Sequence, residues 1–147
     1  MVDTNRIGYA CISMRLSYPQ KFGGKERGVK PITTNRSMIK RTFLEKGVDY
    51  APELILNNVK DLNSIISWNI LNGYNFFRMS SDITPWKTEY DWDDLKDIDS
   101  IRQWLHSAGT QATTHGVRIT THPGPFNVLV SPKEQVVKNC IKDLTIQ

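Results

Sequence analysis

Residues 52–79 read PELILNNVKDLNSIISWNILNGYNFFRM, and this stretch decides the fold class. Ile55, Val59, Leu62, Ile66 and Ile70 recur at spacings of four, three, four and four, which places them on one face of a helix. Asn72 and Gly73 supply a stop. Tyr74 to Met79 then loses the helical period and becomes an aromatic run, the pattern of a strand. A helix that passes at once into a strand is one repeat of an alternating α/β chain.

The same unit recurs on either side. Arg6-Ile7-Gly8-Tyr9-Ala10-Cys11 is a short run compatible with a buried strand. From there to about residue 50 the chain is expected to be irregular, punctuated by Pro19, Gly23, Gly24, Gly28 and Pro31. Connections this long are usually functional. Beyond a polar loop from Ser80 to Trp92, the residues Leu95, Ile98, Ile101, Leu105, Ala108 and Ala112 mark a second amphipathic helix. Asp93, Asp94 and Asp97 fall in its expected first turns, where negative charge complements the helix dipole. Val117 to Thr121 is a third, β-branched strand. Ser131-Pro132-Lys133-Glu134 has the form of a capping box and opens a last helix, with Val136, Val137, Cys140, Ile141 and Leu144 as its apolar face. Three such units predict a parallel sheet with right-handed crossovers. A doubly wound sheet and a slice of an eightfold barrel both satisfy that pattern. No glycine-rich phosphate loop follows any strand, which removes the usual nucleotide-binding form of the first.

Composition narrows the class. The chain has 147 residues, 39% hydrophobic and 23% charged, ordinary for a globular domain. No apolar run approaches the roughly 18 residues of a membrane span. The N-terminus has no apolar signal-like segment, so a soluble, cytoplasmic protein is expected. Cys11 and Cys140 are far apart and expected to be buried, reduced thiols. The net charge of +4 is unevenly spread: residues 1–50 hold ten Lys/Arg against four acids, whereas residues 82–99 hold seven acids against two lysines. A basic front end attracts polyanions, although a solvated basic loop has the same composition.

In either architecture ligands gather at the C-terminal ends of the strands. His122, at the end of the third strand, offers a neutral imidazole to a metal or a hydrogen bond to a neighbour. His106 and His115 belong to the second helix and its end and are expected to be structural. After the second strand, Arg78, Ser80 and Ser81 could grip phosphate, or Arg78 could pair with Asp82 and order the loop. Thr33-Thr34-Asn35-Arg36 could meet a nucleic-acid backbone or form a turn. Tyr9, Trp86 and Phe126 could stack on bases or simply pack.

Taken in order, these clusters resemble the UV-damage endonuclease family. The matching stretches are Arg6 to Cys11, Thr33 to Arg36, Phe77 to Trp86, Thr120 to Phe126, and Ser131 to Glu134. The resemblance implies a TIM-barrel enzyme that nicks damaged double-stranded DNA on the 5′ side of ultraviolet photoproducts. It also implies divalent metal ions, typically manganese, which activate water and neutralise charge on the scissile phosphate. By that resemblance His122 is a metal ligand, and Tyr9 and Asn35 lie near the DNA-binding face. Arg36, Arg78, Ser80 and Ser81 join them as DNA contacts, and Pro125 and Phe126 occupy the place of a pair that wedges into the duplex.

The departures are specific. The family usually has a histidine ligand after the second strand, and the best-matching position here is Glu89, whose carboxylate suits manganese. Pro125 removes a hydrogen-bonding side chain from the wedge, and Ser13 stands where some relatives carry Asn. Counting units gives an α/β chain whose residues 1–147 form a partial TIM barrel, about three βα units of eight, against the roughly 250 residues of a whole one. Little or no incision by the chain alone is therefore expected, with a separately encoded C-terminal half as a partner. A non-catalytic DNA-binding remnant and a metal-dependent sugar isomerase are the competing readings. The isomerase needs a pocket of carboxylates, against which His122-Pro123-Gly124 argues.

Overall fold

A computed structural model describes residues 5–22, 29–124 and 127–146. Within them the helix of the opening stretch is α4, Ala51–Leu71. Ile55, Val59, Leu62 and Ile66 are buried along it, and Ile70 packs against the same core. The helix stops where expected: Asn72 is its C-cap and Gly73 follows at φ 76°, a left-handed position that suits glycine.

Three strands form one sheet, β1 (Gly8–Ala10), β2 (Phe76–Arg78) and β3 (Arg118–Thr120). They are parallel and lie in sequential order. Register places Tyr9, Phe77 and Ile119 in one row, and these three turn toward the core with α4 and α5 (Ile98–Thr114). The flanking rows face the other way, where Gly8, Ala10, Arg78 and Arg118 are exposed. A Cβ at Gly8 would overlap the Phe76 carbonyl, so glycine is what lets β1 approach β2 this closely.

Three expectations need correction. The stretch 12–50 is not structureless: it contains α1 (Met14–Ser17), α2 (Pro19–Phe22), α3 (Lys40–Lys46) and a 3-10 turn at Val48–Tyr50. Helices this short carry too few turns to show a period, and they hold through tertiary bonds such as Ile32 N to Leu16 O at 3.0 Å. Asp93 and Asp94 sit in a separate 3-10 turn, Trp92–Asp94, ahead of α5. Asp97 at φ 60° is left-handed and cannot belong to the helix, so it serves as its N-cap residue. The last helix, α6, spans Glu134–Ile146 and begins later than the capping box implies. Lys133 O accepts its first bonds, while Ser131 Oγ accepts from Lys133 N at 3.2 Å in a turn of its own. Ile141 on α6 remains 53% exposed, so the expected apolar face is only partly covered.

One buried side chain ties loops to this frame. Asn58, fully buried on α4, accepts from Arg36 N at 3.0 Å and donates to Arg36 O at 2.9 Å and Ile83 O at 3.2 Å. Asn58→Ala leaves those backbone groups without their partner and is expected to cost about 1–3 kcal/mol, read as a lower urea midpoint. Burial also raises the phenol pKa values of Tyr9 and Tyr90 above the ordinary tyrosine value. The neutral phenols are thus favoured in the folded state, and their contribution is complete below pH ~10 and lost as pH rises through the raised values. In an alkaline titration, the phenolate absorbance of Tyr9 and Tyr90 should appear only above the ordinary tyrosine range.

Candidate functional site

The C-terminal ends of the three strands open onto one cavity of about 580 Å³. Its lining includes Cys11, Asn35, Ser80, Ser81, Asp82 and His122. Local backbone explains how these side chains converge. β1 ends at Cys11, whose φ of 60° turns the chain out of the strand while Cys11 N donates to Arg78 O at 2.7 Å. β2 ends in a 3-10 turn, Ser81–Ile83, capped by Ser80, whose hydroxyl accepts from Asp82 N at 3.1 Å. Asn35 enters from the loop that Asn58 fastens, with its side-chain oxygen accepting from Thr34 Oγ1 at 3.2 Å.

His122 and Cys11 meet at the centre. Nε2 of His122 lies 3.1 Å from Cys11 Sγ, and Nδ1 lies 2.9 Å from the Pro123 carbonyl. A carbonyl can only accept, so a neutral imidazole carries its proton on Nδ1 and presents the Nε2 lone pair to the thiol. Cys11 is partly exposed and joined to the site, contrary to the inert buried thiol expected of it. Cys140 does match that expectation: it is buried, and its Sγ accepts from Val128 N at 3.1 Å.

Other expected site residues are placed differently. Tyr9 turns away from the cavity; its OH donates to Asn69 Oδ1 at 2.7 Å and its ring packs edge-on to Tyr74 and Phe77. The alternation of a strand decides this, because Tyr9 shares the core-facing row with Phe77. Arg36 is committed to Asp61 on α4 at 2.6 Å and to Thr33 O at 2.6 Å, so its guanidinium orders the 31–36 turn. Arg78 is exposed on the open face of the sheet, and no ion pair joins it to Asp82 among the described residues. Pro125 and Phe126 lie outside the described residues. His115 closes onto Gln111 O at 3.0 Å at the end of α5, a structural role as expected.

The fit to a metal is poor within this chain. Glu89 is exposed and lines an adjacent cavity of about 490 Å³ with Asn127, Asn139 and Lys142, not the cavity of His122. Among the described residues no group of three or more His, Cys, Asp or Glu side chains could hold a metal ion. A hard divalent cation prefers several carboxylate and imidazole donors, and here it would meet one imidazole faced by a thiol.

Two further lining residues, Lys87 and Asp143, form an ion pair at 3.4 Å that no sequence pattern announces. Both read as ordinary solvated charges, and only the packing of α6 against the loop after β2 brings them together. Among the described residues no helix is long and apolar enough to cross a membrane.

Comparison with known proteins identifies the family. The family model described as UV-endonuclease UvdE matches residues 5–147. A protein of Acanthamoeba polyphaga mimivirus is 33% identical over 146 residues, 95% of this chain and 39% of that protein. The UV DNA damage endonuclease of Clostridium perfringens is 30% identical over 143 residues, 95% of this chain and 29% of that enzyme. The crystal structure of SacUVDE superposes with a TM-score of 0.62 at 25% identity, covering 78% of this chain and 38% of that one. The chain thus spans well under half the length of the relatives it matches. On the match of nearly all its residues to the family model, the chain belongs to the UV-endonuclease UvdE family.

Proposed function

We propose that the chain is part of a DNA repair endonuclease that nicks DNA 5′ to ultraviolet photoproducts by metal-assisted phosphodiester hydrolysis. In this reading residues 1–147 supply three of the eight βα units of a TIM barrel, and the strand-end cavity faces the damaged duplex. The observation that carries it is the convergence of Asn35, Ser80, Ser81 and His122 on one cavity at the ends of three sequential parallel strands. Strand ends are where barrel enzymes hold their substrates.

Within this reading the residues divide the work. Ser81 and Asn35 donate to phosphate oxygens. Ser80 keeps the turn that presents Ser81 and Asp82, and Arg78 offers an exposed guanidinium to the backbone. Arg36 and Tyr9 hold the loop and the strand from behind, while Pro125 and Phe126 are assigned to the lesion wedge. His122 would be one ligand of a divalent ion such as manganese, which supplies Lewis acidity when bound. The remaining ligands come from further βα units, on this polypeptide's continuation or on a separately encoded partner, and Glu89 joins them if its loop shifts. A second reading, a DNA-binding remnant without catalysis, is favoured by the lack of a three-ligand group among the described residues.

Incision of irradiated supercoiled plasmid in manganese separates the two. The isolated chain should bind irradiated DNA yet nick it poorly, and efficient nicking by the chain alone would overturn the claim that ligands must come from elsewhere. Nicking restored by a polypeptide carrying the family's remaining units supports the endonuclease. Affinity that survives chelation, with no incision under any complementation, supports the remnant. Arg78→Gln should weaken duplex binding by about tenfold, the loss of one charge-assisted phosphate bond; unchanged affinity in a filter-binding titration removes Arg78 from the interface.

A further inference from the structure

Lys87 has the geometry of an anion anchor. Its side chain is only 10% exposed, on a residue type that is almost never fully buried unless paired. It lines the same cavity as Asn35, Ser80, Ser81 and His122. Its counter-ion, Asp143 on α6, lies 3.4 Å away, longer than the ~2.7–2.9 Å of a tight charge-assisted bond. Asp143 is itself steadied by Asn127 Nδ2, which donates to it at 2.7 Å.

The backbone just before Lys87 is strained. Trp86 adopts φ 59°, a left-handed conformation that bulky residues rarely accept. It is held there by its indole N–H, which donates to Met38 O at 2.9 Å, and by stacking on Phe43 at 5.1 Å and 9°. Strain of this kind persists where surrounding contacts over-determine it, and it concentrates at functional sites. Cys11, the other left-handed residue of the cavity, belongs to the same lining.

Fastening α6 to the loop does not require this pair. Lys142, also on α6, already donates to the Thr88 carbonyl. Charge gives a further reason for a local cation. Residues 82–99 hold seven acids against two lysines, so a polyanion approaching the loop after β2 is repelled unless a nearby ammonium neutralises the contact.

We propose that Lys87, positioned by Asp143, binds a backbone phosphate of DNA in the strand-end cavity. The proposal rests on the DNA-binding part of the reading above and adds a contact that the resemblance did not supply. The test is fluorescence anisotropy with a labelled duplex carrying one thymine dimer, and an undamaged control, over a series of salt concentrations. The variant K87M/D143L removes one cation and one anion together, so the net charge is unchanged and general attraction to DNA is held constant. Its affinity at low salt is expected to fall about tenfold, and the salt dependence to lose about one counterion's worth of slope. K87R should restore both, because a guanidinium also grips phosphate; if the double variant does not fold, K87Q/D143N, which also leaves the net charge unchanged, gives the same reading. A lowered melting temperature with affinity and slope unchanged means that the pair only fastens α6, which overturns the proposal. Wild-type protein that binds neither duplex brings down the broader reading and this contact with it, whereas binding indifferent to Lys87 sinks this contact alone.

Discussion

The side-chain amide of Asn58 holds the candidate site in shape. It lies on the buried side of α4, beside Val59, and satisfies both backbone groups of Arg36 and the carbonyl of Ile83 at once. Only an amide offers a donor and an acceptor side by side in one plane for such a task. One turn further along α4, Asp61 takes the Arg36 guanidinium and Thr33 N. The loop bearing Asn35 and the turn bearing Ser80 and Ser81 are therefore both attached to a helix that the hydrophobic core fixes against the sheet. Irregular segments thereby acquire the rigidity of a regular element.

Among the described residues, the sheet this helix covers is covered on one side only. Parallel strands are normally buried on both faces, yet Gly8, Ala10, Arg78 and Arg118 look outward from the three strands. Beyond β3, Val128, Leu129 and Val130 are exposed together, and α6 shows Ile141 to solvent. The chemistry of the cavity has the same one-sidedness, since it presents the Nε2 lone pair of a single histidine where a metal centre needs several donors. In the barrel reading one thing answers both: further βα units would close the open face and bring carboxylates to the strand ends.

Around the cavity, strain and charge are arranged locally. The two left-handed residues Cys11 and Trp86 each turn the chain just where a side chain must enter, one delivering a thiol to His122 and the other preceding Lys87. The wider field is mixed: basic over residues 1–50, acidic over 82–99. Asp93 is partly neutralised by Arg102 at 3.2 Å, and Lys96 meets Asp49 at 2.8 Å. These pairs are exposed and contribute little to stability.

The sequence by itself determined the repeat. The spacing of Ile55, Val59, Leu62, Ile66 and Ile70, the Asn72-Gly73 stop and the β-branched run at 117–121 each follow from local geometry, and each element lies where those patterns put it. His122, Ser80 and Ser81 were legible for the same reason, because chain order alone sends strand ends to one edge, whereas the place of Asn35 beside them was reached only through the resemblance. What the tertiary structure decided is which way side chains face and whom they meet. Tyr9 went to the core because a period of two leaves a strand residue only two faces, and Phe77 beside it claimed the buried one. Arg36 was taken by Asp61, Cys11 was brought to His122, and Lys87 found Asp143 some fifty-six positions away. Such meetings depend on crossover packing and loop closure between distant segments, which no window of sequence contains.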